Sequence, residues 1–242
     1  MGPDLTLAFD LADAADAISL AHFRTGLAVE RKPDLTPVTE ADRAVESELR
    51  RLLSHARPSD AVLGEEHGAS GGSARRWILL PIDGTRNYAR GIPVWATLVA
   101  LEESGVVHLG LVSAPALGQR WWAERGEGAY AHGERIGVSS VSRVEDAVFC
   151  FAFEQELPAI AQRAWHARGF GDFWAHMLVA EGAADGAFDA TGVREWDLAA
   201  VQVIVEEAGG RFSDFAGESR IDTGTALSSN GLLHAELLSA VS

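Results

Sequence analysis

The chain has 242 residues, of which 47% are hydrophobic and 23% are charged. This composition is typical of a globular protein with a large buried core, so disorder over most of the chain is not expected. The formal net charge of −15 repels nucleic acid phosphates and anionic lipid, and neither is expected as a partner. The sequence has no apolar run long enough for a membrane span, and its single cysteine, Cys150, predicts a cytoplasmic location.

Apolar residues at helical spacing open the chain, over residues 7 to 24 and again over residues 40 to 54. The glycine-rich stretch 68 to 76 is predicted as a mobile surface loop within one domain. Residues 94 to 101 and 106 to 113 are rich in β-formers and are separated by a short polar stretch that ends in glycine. This pattern predicts a β-hairpin.

The second half of the chain alternates between helical and extended patterns. Helices are predicted over residues 173 to 187, 197 to 208 and 232 to 241, and strands over residues 119 to 123, 128 to 131, 211 to 214 and 226 to 230. Helices and strands that alternate around a hairpin-rich middle indicate a layered α+β or α/β domain. We predict one domain over residues 1–242, made of two tightly packed halves that meet near residue 140.

Acidic residues stand where predicted apolar elements end or begin. The predicted strand 61 to 63 leads to Glu65 and Glu66, the strand 77 to 82 leads to Asp83, and a helix begins near Asp197. Carboxylates at strand ends can converge in space, and Mg²⁺ prefers such oxygen ligands and often shares its site with phosphate. Two such ions can hold both the attacking and the leaving oxygen in the hydrolysis of a phosphate ester. The alternative is that these acidic residues form ordinary solvated surface.

The order of these motifs resembles the inositol-monophosphatase superfamily. The matching segments are residues 34–42 (DLTPVTEAD), 64–66 (GEE), 81–88 (PIDGTRNY) and 196–200 (WDLAA). Further segments resemble the branch of bacterial histidinol-phosphate phosphatases, namely residues 93–97 (PVWAT), 113–118 (SAPALG), 171–174 (GDFW) and 229–234 (SNGLLH). The resemblance implies an α+β layered sandwich (αβαβα) and Mg²⁺-dependent hydrolysis of a small phosphorylated metabolite by a homodimer.

The same resemblance implies roles for particular residues. Glu65 is expected to bind a metal ion and to help set the attacking water, while Thr85 helps to activate that water. Asp42 is an outer carboxylate of the catalytic group, and Lys32 stands in the segment before it. The remaining metal ligands are expected to be Ile82, through its backbone carbonyl, and the carboxylates of Asp83 and Asp197.

The resemblance also implies substrate contacts. The backbone N–H groups of Gly84 and Thr85 are expected to bind phosphate, close to Asp83 and Asp197. Arg86 can pair with phosphate, because a guanidinium suits two-point contact with an anion, or can balance nearby acidic residues on the surface. Asp189 and Arg194 stand where the family places contacts to the alcohol portion of the substrate.

One position departs from the family pattern. The central motif of the family begins with an aspartate that bridges two metal ions, and this chain has Leu80 there. Because leucine has no donor oxygen, three hypotheses follow. The chain is a weakened phosphatase in which Glu66 or water replaces the missing oxygen, or a paralogue that binds a phosphorylated metabolite or catalyses another reaction. The third, an engineered change, is disfavoured because a deliberate knockout would use asparagine or alanine.

Two histidines have a structural alternative to a functional role. His67 follows the acidic pair, but a histidine in a glycine-rich segment is more often simply exposed. His176 lies on a predicted helix face and is interpreted as a core residue with satisfied hydrogen bonds. Cys150 lies in an apolar run and is predicted to be a buried, inert thiol.

Overall fold

Two long helices lie at the start of the chain, where apolar residues recur at helical spacing. The computed structural model describes residues 2–26, 30–31, 37–152 and 159–241, and Lys32 lies outside them. Helix α1 spans Pro3–His22 and helix α2 spans Glu40–Ala56. Proline suits the first turn of α1, because the N–H that it lacks has no partner within a helix anyway. Both predicted helices are confirmed.

A mixed sheet forms the middle of the described chain. Its order is β10-β9-β8-β7-β6-β5-β3-β4, and all neighbours are antiparallel except β3 and β5. The strands are β3 (Ala61–Gly64), β4 (Gly68–Ser70), β5 (Arg75–Asp83), β6 (Ala96–Glu103), β7 (Val106–Ala114), β8 (Gln119–Glu124), β9 (Gly128–Ala131) and β10 (Glu134–Arg135); a separate antiparallel pair consists of β1 (Glu30–Arg31) and β2 (Pro37–Val38). The predicted hairpin is confirmed as β6 and β7. The loop predicted over residues 68 to 76 is shorter than expected, because β4 and the start of β5 lie within it.

A second sheet belongs to the C-terminal part and has the order β12-β11-β13-β15-β14. The strands are β11 (Val148–Phe151), β12 (His166–Arg168), β13 (Gly186–Asp189), β14 (Arg211–Ser213) and β15 (Ala226–Ser229); the remaining helices are α3 (Thr85–Ala89), α4 (Asp172–Ala180), α5 (Glu195–Glu207) and α6 (His234–Ser239). In this sheet β11 is parallel to both of its neighbours, and the other pairs are antiparallel.

The predicted helix over residues 173 to 187 is wrong at its C-terminal end. Helix α4 stops at Ala180, and Gly182 then adopts a left-handed conformation with a φ of 74°. A side chain at Gly182 would also come within 3.0 Å of the backbone of Gly137. The alanine-rich sequence that follows favours a helix by propensity, but pairing with β11 and β15 makes it strand β13.

The elements stack in five layers. Helices α1 and α2 cover one face of the first sheet, where Leu49 packs with Trp77 and Leu79. Since side chains alternate along a strand, Ile78 and Leu80 point to the opposite face, where α4 and α5 pack. Helix α5 also contacts the second sheet, and α6 packs on the far side of that sheet. The α+β layered sandwich (αβαβα) is therefore confirmed. No helix within the described ranges is both long and apolar enough to cross a membrane.

Candidate active site

A cavity of about 320 Å³ lies where the end of β5 meets the start of α4 and the loop before α5. It gathers residues that are far apart in sequence. The predicted site residues in its lining are Glu65, Ile82, Asp83, Gly84, Thr85, Arg86, Asp189 and Asp197. The side chain of Arg194 is not among them, and it lies in a neighbouring groove that also contains Glu65 and Asp222.

The segment that carries Glu65 is held by hydrogen bonds to a buried glutamate of α2, Glu46. The carboxylate of Glu46 accepts hydrogen bonds from the backbone N–H of Glu66 at 2.6 Å and of His67 at 3.1 Å. Arg50, one helical turn later, donates to Glu46 at 2.8 Å and also reaches the carbonyl of Gly68. These contacts fix the backbone immediately after Glu65. Sequence analysis did not predict a role for Glu46. The available indication was a charged residue next to the apolar positions of a predicted helix.

A tight turn carries the central motif. Gly84 has a φ of 76°, and a side chain there would come within 3.1 Å of the carbonyl oxygen of Val94. Glycine is therefore required both by the backbone conformation and by the space. The hydroxyl of Thr85 donates to the carbonyl oxygen of Ile82 at 3.0 Å and lies 3.4 Å from Oδ1 of Asp42.

Asp42 lies behind this turn and is almost fully buried. Its Oδ2 accepts hydrogen bonds from the backbone N–H of Thr39 at 2.8 Å and from the Thr39 hydroxyl at 2.6 Å. Burial raises the pKa of Asp42, and the negative charge of Glu66 adds to the rise. Asp42 is not among the residues that line the cavity, but it contacts Thr85, which is.

Asp83 links the end of β5 to the start of α4. Its Oδ2 accepts a hydrogen bond of 2.6 Å from the backbone N–H of Phe173 in the first turn of α4. Burial raises the pKa of Asp83 well above its usual range, and the negative charges of Asp172 and Asp197 contribute to the rise.

Asp172 is a further acidic residue in the cavity wall, and the sequence analysis gave it no role of its own. It adopts a left-handed conformation with a φ of 56° at the first position of α4. Burial and the negative charge of Asp189 raise the pKa of Asp172, while Arg86 opposes that rise. The sequence feature that could have indicated this residue is the glycine-aspartate pair directly before an apolar helix.

Asp197 completes the acidic lining from the first turn of α5. Its Oδ2 accepts a hydrogen bond of 2.6 Å from the backbone N–H of Arg194, so Arg194 supports the site through its main chain. Burial raises the pKa of Asp197 to about 7, and the charges of Glu65, Asp189 and Asp172 act in the same direction. Several carboxylates therefore share one cavity, where burial and their mutual charge both raise their pKa values.

The chemistry of this lining fits a hard divalent cation. The donors are oxygens, and buried carboxylates that raise one another's pKa are stabilised by a positive ion. However, no three His, Cys, Asp or Glu side chains in the described residues are gathered closely enough to hold an ion as they stand. The carboxylates share the cavity without forming a ready-made coordination shell.

Leu80 is part of the cavity wall. Its side chain is 2% exposed and packs in the core between the first sheet and α5. It lies opposite Leu98 in the pairing of β5 with β6. The strand is therefore apolar up to the cavity, and position 80 contributes no oxygen to it.

The histidines divide as the sequence analysis indicated. His67 is exposed, and its ring lies 3.1 Å from the hydroxyl of Ser47. His176 is a core residue with hydrogen bonds on both ring nitrogens, but it also lines the cavity. Cys150 is buried, and that burial raises the pKa of its thiol to about 12.

Comparisons with known proteins agree with this geometry. A family model described as the inositol monophosphatase family matches residues 2–242. The chain is 47% identical to a histidinol-phosphatase of Mycobacterium tuberculosis, over 97% of this chain and 96% of that protein. It is also 47% identical to a histidinol-phosphatase of Streptomyces coelicolor, over 97% of this chain and 95% of that protein.

Solved structures show the same fold. The extragenic suppressor protein suhB of Bartonella henselae matches with a TM-score of 0.92 and 29% identity, over 99% of this chain and 98% of that chain. An IMPase of Thermotoga maritima matches with a TM-score of 0.90 and 30% identity, over 99% of this chain and 97% of that chain. Together, the relatives and the fold support phosphatase chemistry.

Proposed function

Because the chain belongs to the inositol monophosphatase family, we propose that it is a Mg²⁺-dependent phosphatase of a small phosphate monoester. The observation that carries the proposal is the shared cavity, which Glu65, Asp83 and Asp197 line from three separate segments. Similarity to two proteins named histidinol-phosphatase supports histidinol phosphate as the substrate.

The proposed ion site uses the carboxylates of Glu65, Asp83 and Asp197 together with the carbonyl of Ile82. When it is bound, the ion supplies positive charge that stabilises the phosphate group and favours ionisation of the attacking water. Mg²⁺ suits the site because it prefers oxygen ligands and commonly shares them with substrate phosphate.

The residues of the central turn have separate tasks in this proposal. Gly84 and Thr85 present their backbone N–H groups to the phosphate, and Gly84 leaves no side chain in the way. Glu65 and the Thr85 hydroxyl hold the attacking water. Asp42 orients Thr85, since the two side chains lie 3.4 Å apart. Arg86 lines the cavity and adds positive charge on the phosphate side.

The proposal extends to the alcohol portion of the substrate and to the assembly. Asp189 contacts that portion from the end of β13, and Arg194 contacts it from the neighbouring groove. As the resemblance implies, the protein acts on a small phosphorylated metabolite as a homodimer. The single cysteine is consistent with a reducing compartment such as the cytoplasm.

The test is a phosphate-release assay on L-histidinol phosphate, with Mg²⁺ and with the metal removed by EDTA. Release is expected only with Mg²⁺, and Asp83→Asn is expected to lower kcat/KM by roughly 100-fold or more, because even residues that only support metal ligands cost ~10- to 100-fold. Asp10→Asn is the matched control, since Asp10 is an exposed aspartate of α1 that does not line the cavity. A chain that binds no divalent ion and releases no phosphate would contradict the proposal.

A further inference from the structure

Asp189 lies in the cavity wall with one of its carboxyl oxygens already held. The residue is 5% exposed and stands at the end of β13. Its Oδ2 lies 2.7 Å from Nε2 of His176. Its charge reaches across the cavity, since after burial it is the largest contributor to the raised pKa of Asp172. Asp189 therefore belongs to the same electrostatic environment as the proposed metal ligands.

A second hydrogen bond fixes the imidazole that holds Asp189. His176 is 1% exposed in the middle of α4, and its Nδ1 lies 2.7 Å from the hydroxyl oxygen of Ser228. Ser228 is fully buried in β15, next to β13. When Nε2 donates its proton to Asp189, a neutral ring accepts the proton of the Ser228 hydroxyl at Nδ1. The serine thus selects the ring orientation that serves Asp189.

The other oxygen of Asp189 is not engaged by His176. Among the described residues no donor lies within hydrogen-bond distance of Oδ1, and Asp189 lines the cavity. This carboxylate is only 5% exposed, so a ligand that fills the cavity would cover Oδ1 and would have to offer it a hydrogen-bond donor. An N–H or O–H group of a ligand at this wall would supply that donor.

We propose that His176 is a positioning residue, which fixes Asp189 so that Oδ1 binds a donor on the alcohol portion of the substrate. This rests on the proposed function, because it takes Asp189 as a substrate contact. It goes further by assigning specificity to a buried Ser228–His176–Asp189 chain. In this role His176 acts through Asp189, because its two ring nitrogens are engaged by Asp189 and Ser228.

The experiment separates the two ends of the substrate. Titration calorimetry with Mg²⁺ present measures the affinity for L-histidinol and for inorganic phosphate, and steady-state assays give KM and kcat for L-histidinol phosphate. His176→Phe is expected to weaken L-histidinol binding and to raise KM by roughly tenfold, because the lost bond involves a charged group. Phosphate affinity and kcat are expected to stay within about twofold.

Two further variants separate positioning from general disruption. His176→Gln keeps a donor near the position of Nε2 and is expected to recover most of the L-histidinol affinity. His234→Phe is the matched control, since His234 is also buried between two serines but does not line the cavity. It is expected to leave L-histidinol affinity unchanged. If His176→Phe fails to fold, Ser228→Ala replaces it, with an expected loss of roughly threefold.

Three results would overturn the positioning role. They are unchanged L-histidinol affinity in His176→Phe or Ser228→Ala, no recovery in His176→Gln, or an equal loss in His234→Phe. If the unaltered chain releases phosphate while His176→Phe keeps its KM, the phosphatase stands and the positioning role falls. If it releases none but binds L-histidinol with the expected His176 dependence, hydrolysis falls and the positioning role stands. Absence of L-histidinol binding contradicts both.

Discussion

Leu80 is an uncharged position in the wall of an otherwise acidic cavity. The side chain is buried in the core and also forms part of the cavity wall. An apolar residue at this position adds no negative charge beside Asp83 and Asp197, whose pKa values are already raised by burial and by neighbouring charges. Compared with the aspartate that the family motif has here, leucine adds no further charge that must be buried when the protein folds without an ion. It also offers no oxygen to a metal ion.

The substitution Leu80→Asp tests this trade between stability and metal binding. Without divalent ions the variant is expected to melt at a lower temperature, because a carboxylate replaces a buried leucine among like charges. With Mg²⁺ it is expected to gain more thermal stability than the unaltered chain, since an ion that binds only the folded state stabilises it. Its phosphate release is expected to exceed that of the unaltered chain.

The measurements are thermal melts with and without Mg²⁺, together with the phosphate-release assay. Leu80→Asn is the matched control, because it has the shape of aspartate without the charge. An equal Mg²⁺ effect on the two variants, or lower phosphate release in Leu80→Asp, would count against the role assigned to this position.

The sequence predicted the site residues that belong to recognisable motifs. It did not predict the residues whose role depends on tertiary contacts with distant segments. Glu65, Asp83 and Asp197 stand at predictable strand and helix ends, and the structure places them on one cavity. Glu46 and Asp172 were missed because their importance comes from contacts with distant segments. Glu46 holds the backbone of a loop twenty residues later, and this pairing depends on how α2 packs against the sheet.

At the scale of elements, the contact between α2 and the segment after β3 sets the position of Glu65. Gly64 has no space for a side chain, because an added Cβ would overlap the carboxylate of Glu46. Glu46 is fully buried and holds two backbone N–H groups of that segment. A side chain at position 64 would therefore have to displace the Glu46 carboxylate from these hydrogen bonds.

Gly64→Ala is expected to displace Glu46 and to lower the free energy of unfolding by roughly 2 to 4 kcal/mol, since it combines overpacking with lost hydrogen bonds of a charged group. Urea denaturation measures the change. Gly72→Ala is the matched control, because nothing lies within 4 Å of an added Cβ there, and it is expected to change stability by less than about 0.5 kcal/mol. Equal stability of the two variants would show that Glu46 can move away at no cost.

Element boundaries were less predictable than element types. The hairpin of β6 and β7 follows directly from two β-rich runs with a short turn between them. The first two residues of strand β13 were predicted as the end of a helix, because the alanines between residues 183 and 187 favour a helix when tertiary pairing is ignored. Asp189 is the last residue of β13. Because this strand was not predicted, the contact between Asp189 and His176 could not be predicted either.

At the scale of the whole molecule, the cavity depends on contacts between the first sheet and the layer of helices α4 and α5. Asp83 from the first sheet holds the start of α4, and Arg76 of β5 pairs with Glu195 of α5 at 2.5 Å. Trp121 of the first sheet packs against Phe173 with their ring centres 6.1 Å apart. The two halves divided near residue 140 stay a prediction, but the site lies where such halves would meet.

Global stability should also depend on pH through a histidine that lies away from the cavity. His234 is fully buried, with Nδ1 2.8 Å from the Ser229 hydroxyl and Nε2 3.0 Å from the Ser213 hydroxyl. Burial lowers the pKa of His234 from 6.5 to about 4, and the positive charge of Arg211 adds to the effect. Between these two pH values the unfolded chain binds a proton that the folded protein excludes.

The direction of the effect follows from this difference in proton binding. The stabilising contribution of neutral His234 is complete above pH 6.5 and is lost as the pH falls toward about 4. The loss amounts to at most roughly 3 kcal/mol. Metal-free carboxylates act in the opposite direction, because Asp197, whose pKa is raised to about 7, favours the folded state more at low pH. The pH profile of the unaltered chain therefore combines opposing contributions.

His234→Gln separates these contributions, because glutamine can keep a hydrogen bond to a serine but cannot titrate. Urea denaturation of both proteins at several pH values between 4 and 7, with the metal removed, gives the difference in free energy of unfolding. The advantage of the unaltered chain over the variant is expected to shrink steadily as the pH falls below 6.5. Since the acidic cavity is common to both proteins, its contribution cancels in that difference. A difference that stays constant over this range would mean that His234 titrates alike in the folded and unfolded chains.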